Sequence, residues 1–267
     1  MNKGDDILTI NEGIKFIYAD ETSDSHGVLM ATAFSGTTRS GNVENRNIVT
    51  TANNATNTFN FHYVKYDSPL TFDIIIYNED GSFIDAQKER SLKKWLLKNK
   101  RNWFKSFQPD LADTEFYCIA TSASMLDVGA YSGGMMVSFQ CDAPWAWTKL
   151  RKKTYSSIGS LNFSIKFNFD FDEYILQPQL IIIPTASGTI SIANAATGET
   201  ISIAGCVSGE TIQLDNLTDQ ILTTASRNIV EAWNRNTIGF IEGNNSITLT
   251  GKFNLELRYR LPVRVGA

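Results

Sequence analysis

The most constraining feature of this chain is a strict alternation of apolar and polar residues near its middle. Leu161 to Phe171 read L-N-F-S-I-K-F-N-F-D-F, so every odd position is apolar and every even position is polar. Successive side chains of a β-strand point to opposite faces of the sheet, and this alternation therefore predicts a strand with one buried face.

Shorter strand patterns follow this segment through the second half of the chain. Four stretches combine a Thr or Ser with alternating apolar residues, at positions 189–192, 200–203, 211–214 and 246–249. Strands this short and this closely spaced are typical of antiparallel sheets. We therefore predict a β-meander or β-sandwich for the C-terminal half.

Composition bounds the class of protein. The 267 residues are 42% hydrophobic and 19% charged, which fits a soluble globular chain of one large or two ordinary domains. The net charge of −4 gives no bulk attraction to nucleic acid or to an anionic membrane. No apolar window is long enough to span a membrane and no secretion signal opens the chain, so we expect a protein without membrane insertion that stays in a cytosol-like compartment or leaves it by a route other than secretion.

The N-terminal half shows a different organisation. Strand patterns lie at 14–18, 28–34, 59–66, 70–77, 115–122 and 135–141. Between the second and third of these, residues 35–57 are polar and rich in Thr, Asn and Gly, which predicts a long loop or an extended hairpin.

A helical period replaces the strand period at residues 87–105. At about 100° per residue, one face of this helix carries the apolar residues Leu92, Trp95, Leu96, Trp103 and Phe107. The opposite face carries Lys94, Lys98, Arg101 and Lys105. The stretch from Lys88 to Lys105 has a net charge of +7, and the rest of the chain therefore carries −11. We interpret the four basic residues either as a solvated face or as a candidate interface with an acidic partner, phosphates or a neighbouring copy.

The domain boundary is predicted near residue 149. Residues 1–148 form the N-terminal domain, and residues 149–267 form the C-terminal domain. The basic, Ser-rich segment 149–160 is interpreted as the linker between them.

Residues for catalysis or metal binding are sparse. The two histidines, His26 and His62, have no second ligand or carboxylate at the spacing of a metal site or a triad. Asp170 and Asp172 share one strand face about 7 Å apart, and we interpret them as solvated. The three cysteines, Cys118, Cys141 and Cys206, are predicted to be buried hydrophobic residues. We therefore expect no enzyme activity, no catalytic residue, no metal and no cofactor.

The tryptophans leave a second interpretation open. A loop-like group of Arg227, Trp233 and Asn234 offers a weak candidate contact for carbohydrate. Packing in a core or an interface is the alternative use of such aromatic residues.

The order of these parts resembles the distal tail protein (Dit) family of long-tailed phages. The resemblance lies in the opening strand F-I-Y at Phe16, in the helix ending L-K-K-W-L at Leu96, and in the segment V-S-F-Q-C-D-A-P-W ending at Trp145. Further on it includes Q-P-Q-L-I-I from Gln177, N-A-A-T-G-E-T-I from Asn194 and F-I-E-G-N-N-S-I-T-L-T from Phe240.

The resemblance implies a mainly β protein in two parts. The first is a β-sandwich-like ring domain with one α-helix, and the second is a galectin-like β-sandwich. It also implies a structural protein of the virion tail tip, in which a homo-hexameric ring joins the tail tube protein to the central hub or tail-associated lysin-type protein. A receptor-binding protein as a further partner is implied as well, with DNA only as passing cargo.

Two other functions remain as alternatives. A soluble carbohydrate-binding module is favoured by a lectin-like sandwich that contains tryptophan, although fold alone does not carry function. A glycosidase is third, and it rests only on the two aspartates.

Overall fold

The computed structural model describes residues 13–31, 46–53, 58–66, 68–128, 131–171 and 173–265. It is mainly β, as the sequence predicted. The chain divides into two compact units, which are Met1–Trp147 with Arg264–Ala267, and Thr148–Val263. Each unit has its own hydrophobic core.

Antiparallel strands build the N-terminal unit. They are β1 (Phe16–Tyr18), β2 (Glu21–Thr22), β3 (Val28–Met30), β4 (Arg46–Asn53), β5 (Thr58–Tyr66), β6 (Thr71–Asn78), β7 (Asn102–Ser106), β8 (Thr114–Val128), β9 (Tyr131–Cys141) and β10 (Ala146–Thr148). Seven of them follow one another in the order β2-β1-β7-β8-β9-β6-β3 in one sheet, to which β10 also belongs because it pairs with β8. Short 3₁₀ turns occupy Ser23–His26 and Pro109–Leu111.

Strands β4 and β5 form a hairpin that is separate from this sheet. Its register runs from Arg46 opposite Tyr66 to Asn53 opposite Thr58. Among the described residues, no third strand pairs with either of them. The extended hairpin considered for residues 35–57 is thus present in 46–53, while residues 35–45 and 54–57 lie outside the described part of the chain.

The α-helix is shorter than the sequence predicted. Helix α1 spans Ala86–Leu96, and the side chain of its N-cap, Asp85, accepts a hydrogen bond of 2.7 Å from the Lys88 backbone N–H. The prediction of a helix to residue 105 was wrong, because Asn102–Ser106 form β7 between β1 and β8. The apolar residues Trp103 and Phe107 match helical spacing by coincidence, whereas Phe104 is the residue that faces the core.

The N-terminal core lies between α1 and the inner face of the sheet. Phe16 stacks on Trp95 and on Phe104, with both ring centroids at 5.4 Å. Cys118 and Cys141 are buried, as predicted, and they lie directly opposite one another on β8 and β9. Burial raises the pKa of the Cys141 thiol to about 12, so the thiol is not reactive near neutral pH.

Strands also build the C-terminal unit. They are β11 (Arg151–Phe167), β12 (Gln179–Pro184), β13 (Gly188–Asn194), β14 (Glu199–Cys206), β15 (Ile212–Asp215), β16 (Gln220–Thr223), β17 (Gly243–Tyr259) and β18 (Pro262–Val263). A second helix, α2, spans only Ile229–Ala232. All five alternating segments of the second half lie in or overlap a strand, as predicted. Cys206 is buried, as predicted.

The expected linker at 149–160 is incorrect. From Arg151 onward this segment is the first part of β11, which pairs with β17 along its whole length from Arg151–Tyr259 to Phe167–Gly243. Most of the polar residues that resembled a linker face solvent, whereas Ser157 is buried and its hydroxyl donates a 2.7 Å hydrogen bond to the Gly251 carbonyl.

The long β11–β17 pair contains two facing glycines. Gly159 and Gly251 are register partners, with φ angles of 151° and 104°. On one side of this position β17 pairs with β13, and on the other side it pairs with β12. Its odd-numbered residues nevertheless face the core throughout, so one strand contributes to the whole length of the C-terminal core.

Candidate assembly surfaces

Helix α1 is fixed to the N-terminal sheet through Trp95. The side chain is 2% exposed, and its indole N–H donates a hydrogen bond of 3.0 Å to the Tyr18 carbonyl. The His26 ring stacks on the indole at 4.0 Å with an interplanar angle of 12°. These contacts set which face of α1 is turned outward.

Lys98 forms an ion pair with Glu21, which also contacts the His26 ring. His26 Nε2 lies 3.0 Å from Glu21 Oε2, and Lys98 Nζ lies 3.9 Å from Glu21 Oε1. Lys98 therefore belongs to a local ion pair that connects the chain after α1 to β2.

The four predicted interface residues do not form one continuous row. Lys94 and Arg101 are exposed and make no ion pair with the described residues. Lys98 is half-buried beside Glu21. Lys105 lies on β7, where its Nζ is 5.8 Å from the centre of the Phe107 ring. The sequence predicted one row of four basic residues because it predicted a helix to residue 105. Since the helix ends at Leu96, only Lys94 lies on α1, and the other three residues lie in the following turn and on β7.

An acidic cleft lies at the opposite end of α1, and sequence analysis missed it. The cleft has a volume of about 550 Å³ and is lined by Gly27, Asn78, Glu79, Asp80, Ser82, Phe83, Asp85 and Lys88. Hydrogen bonds from the hydroxyl and backbone N–H of Ser82 lower the pKa of Asp80, so this carboxylate is charged at neutral pH. The only sequence signal was the turn composition N-E-D-G-S.

Asn78 is a lining residue of the cleft and is itself buried. Its amide nitrogen donates to the carbonyls of Ser82 and Phe83 at 3.2 and 3.1 Å. Its Oδ1 is buried and has no donor within the described part of the chain. The amide is thereby fixed by the bonds that its nitrogen donates, while its buried oxygen has no donor among the described residues.

The three residues predicted for carbohydrate contact have internal partners. The indole of Trp233 is part of the C-terminal core, and its N–H donates a 2.9 Å hydrogen bond to the Asn236 carbonyl. The Asn234 side chain bonds the backbone of β14 at Ser202 and Thr200. Both residues therefore cover the edge of β14. A sugar contact at these residues stays a prediction.

Arg227 forms an ion pair with the buried carboxylate of Glu210. Its guanidinium donates to both oxygens of Glu210 at 2.8 and 3.1 Å, and the Glu210 side chain is 1% exposed. Burial alone would raise the pKa of Glu210, but the hydrogen bonds from Arg227 and Thr223 lower it overall. The pair ties the loop before α2 to the loop before β15.

The other residues considered for chemistry do not form a site in the described structure. The His62 side chain and Asp172 lie outside the described residues, while Asp170 follows the end of β11. Within the described ranges, no three His, Cys, Asp or Glu side chains are grouped as a metal site would require. The same ranges contain no helix that is long and apolar enough to cross a membrane.

Comparison with protein families defines the class of this chain. Residues 11–143 match a family described as a phage tail protein N-terminal domain. Residues 145–259 match a family described as a phage tail C-terminal domain. The chain therefore belongs to this family of phage tail proteins. A search of curated proteins found no match.

Comparison with solved structures identifies the fold of the chain. The chain is similar to the Dit protein of phage SPP1, with 11% sequence identity, a TM-score of 0.68 and coverage of 93% of this chain and 99% of that one. It is also similar to chains of the phage P2 baseplate solved in activated conformations with Ca and with Sr. Their TM-scores are 0.51 and 0.52 at 9% and 8% identity, and both cover 92% of this chain and at least 97% of the other. The chain therefore has the Dit fold that its sequence resembles.

Proposed function

We propose that this chain is the ring-forming subunit of the phage tail tip, where six copies join the tail tube to the central hub. The similar SPP1 protein is described as a paradigm of a hub adsorption apparatus, and the P2 chains belong to a baseplate. The role is structural and involves no catalytic residue. The tail tube protein and the hub protein are the proposed direct partners, DNA passes as cargo, and a receptor-binding protein is a further proposed partner.

The observation that carries this proposal is the β4–β5 hairpin. Two-stranded hairpins without further packing are marginally stable in water, and this one pairs with no third strand among the described residues. At its base, the Tyr66 ring lies 6.2 Å from that of Trp145. A hairpin whose strands pair with no third strand among the described residues is suited to reach a neighbouring copy, and a closed ring requires two different complementary faces on each copy.

Electron microscopy of the purified protein tests the proposal. We expect particles with a central hole and six-fold symmetry in class averages. In a second sample, Asn-Gly replaces residues 48–64 and so shortens the hairpin while leaving its base. This variant should melt like the wild type and form few or no rings. Uniform single-copy particles of the wild-type chain would contradict the proposal, as would unimpaired rings from the shortened variant.

The lectin alternative has less support. The tryptophan assigned to it is buried, and the polar side chains beside it bond the protein backbone. A galectin-like sugar-binding function of the C-terminal unit therefore stays a prediction, and it is not part of the proposal.

A further inference from the structure

Helix α1 separates opposite charges at its two ends. At its N-terminal end, Glu79, Asp80 and Asp85 are exposed around the cleft, and we call these three residues the acidic end. At its C-terminal end and in the turn that follows, Lys94, Lys100 and Arg101 are exposed, and we call them the basic end. None of the three basic residues forms an ion pair with another described residue.

Among the other basic residues near these three, Arg90 is also exposed but lies near the middle of α1, between the two ends, whereas the following three have partners. Lys93 bonds Glu89 at 2.5 Å, and Lys98 pairs with Glu21. Lys88 lines the acidic cleft and donates a hydrogen bond to the His26 carbonyl, so it offsets only part of the negative charge there. The charges that remain available are therefore negative at one end of α1 and positive at the other.

The two ends are too far apart to neutralise each other within one copy. Eleven helical residues span about 16 Å at 1.5 Å per residue. The Debye length at physiological ionic strength is only about 8 Å. The separation also stabilises the helix through its dipole, and both ends remain open to an outside partner.

Each end combines its charges with an exposed apolar residue. Phe83 at the acidic end is 54% exposed, and Leu97 at the basic end is 40% exposed. Interfaces commonly surround an apolar contact with polar and charged residues. Both ends therefore have the composition of a docking surface, with opposite charge.

One buried acceptor next to the acidic end has no hydrogen-bond donor among the described residues. Asn78 is 7% exposed, lines the cleft, and leaves its Oδ1 without a donor in the described part of the chain. A buried acceptor of this kind is costly unless water or a partner satisfies it. A lysine or arginine side chain that enters the cleft would bring a positive charge to the carboxylates that line it.

We propose that the basic end of α1 in one copy docks on the acidic end of α1 in the next copy. Each copy presents both surfaces, so the contact is head to tail and repeats from copy to copy, as a cyclic ring requires. This inference rests on the proposed ring function and identifies one pair of surfaces that forms it.

Charge reversal at each end tests the contact. The basic-end variant carries Lys94→Glu with Arg101→Glu. The acidic-end variant carries Glu79→Lys with Asp80→Asn, since an asparagine keeps the acceptor for Ser82. A combined variant carries all four changes. The matched control carries Lys166→Glu with Lys252→Glu, two exposed lysines of the C-terminal unit. Ring yield is measured by light scattering on a column, together with the melting temperature of each protein.

We expect each single-end variant to lose ring yield at least tenfold at low salt while melting like the wild type. The combined variant should recover part of the yield, since its basic end becomes net negative while its acidic end, with Lys88 counted, becomes net positive. The control should assemble normally.

The two proposals fail in different ways. If the wild type forms rings and the end variants form them equally well, this inference is overturned while the ring function stands. If both single-end variants fail but the combined variant does not recover, charge pairing between the two ends is also overturned. If the wild type remains monomeric in every condition, the ring function itself is contradicted.

Discussion

At the scale of single residues, buried groups with specific partners hold each unit together. In the N-terminal unit, Trp95 combines ring stacking on Phe16 and His26 with a hydrogen bond to β1. In the C-terminal unit, Glu210 and Arg227 form an ion pair in which the carboxylate is fully enclosed. Trp95 thereby fixes α1 against β1, and Arg227 fixes the loop before α2 against the loop before β15.

Replacing Trp95 with Ala should destabilise the N-terminal unit by about 3–5 kcal/mol, because the change leaves a large cavity and a carbonyl without its donor. Urea unfolding followed by hydrogen exchange of β1 and α1 peptides measures the loss. Trp103→Ala serves as the control, since that ring is only half-buried on the outer face of β7. An equal effect of the two substitutions would show that α1 is not anchored through Trp95.

Removing Arg227 should destabilise the C-terminal unit. Arg227→Ala leaves the buried Glu210 carboxylate without its charged partner, and we expect a loss of about 3–5 kcal/mol at neutral pH. Urea unfolding at pH 7 measures this loss. A loss well under 1 kcal/mol would mean that the pair is a surface contact.

The same carboxylate gives the C-terminal unit a defined pH dependence. The pKa of Glu210 is lower in the folded chain than the ordinary value of 4.5. Its contribution to stability is therefore complete above that value and is lost as the pH falls through the lower folded pKa. Glu210→Gln should flatten the acid limb of the curve of stability against pH, which urea titrations at a series of pH values measure. An unchanged acid limb would contradict this assignment.

At the scale of elements, the β11–β17 pair requires glycine at Gly251 because of its positive φ and the close approach of β13. A Cβ at Gly251 would lie 2.9 Å from the Thr189 carbonyl oxygen, and φ is 104° there. Gly209 has a comparable φ of 83° but has open space around the Cβ position. The two positions therefore separate backbone strain from steric overlap.

Gly251→Ala should cost more stability than Gly209→Ala. Strain of about 1–3 kcal/mol is common to both substitutions, whereas only Gly251→Ala also forces β13 and β17 apart. Urea midpoints of the two variants measure the difference. Equal midpoints would show that the sheet adjusts at Gly251 without cost.

Strands were predictable from sequence where one face is buried, and their long-range partners were not. The alternation in β11, β13, β14 and β17 reflects a core on one side, which is a local property of the sequence. By contrast, residues 151–160 resembled a linker because their partner strand is about 100 residues away in the chain. The end of α1 was misplaced because Trp103 fits helical spacing, although pairing with β1 and β8 decides the conformation of that segment.

The candidate surfaces were only partly predictable, for the same reason. Lys94 and Arg101 were identified from local charge, and both are exposed. The pairing of Lys98 with Glu21 was not visible, because it depends on a contact across 77 positions of the sequence. The acidic end of α1 was interpreted only as a turn, since its role appears once Asn78, Glu79 and Asp85 surround one cleft.

At the scale of the whole molecule, each copy carries a hairpin without a third strand in its described structure and a helix with opposite charges at its ends. Both features are directional, so in the proposed ring one copy would present different surfaces to its two neighbours. Association of this kind closes into a ring if the rotation between copies allows it. The family of phage tail proteins to which the chain belongs is consistent with such an assembly.

The mass of the assembled protein is the most direct test of the ring. Light scattering across a column peak should give six times the 29.7 kDa of one chain, or twelve times if two rings stack. The value should remain constant over a range of protein concentrations, because a closed ring has a fixed number of subunits. A mass of 29.7 kDa at every concentration and at low salt would contradict the central claim, as would a mass that rises continuously with concentration.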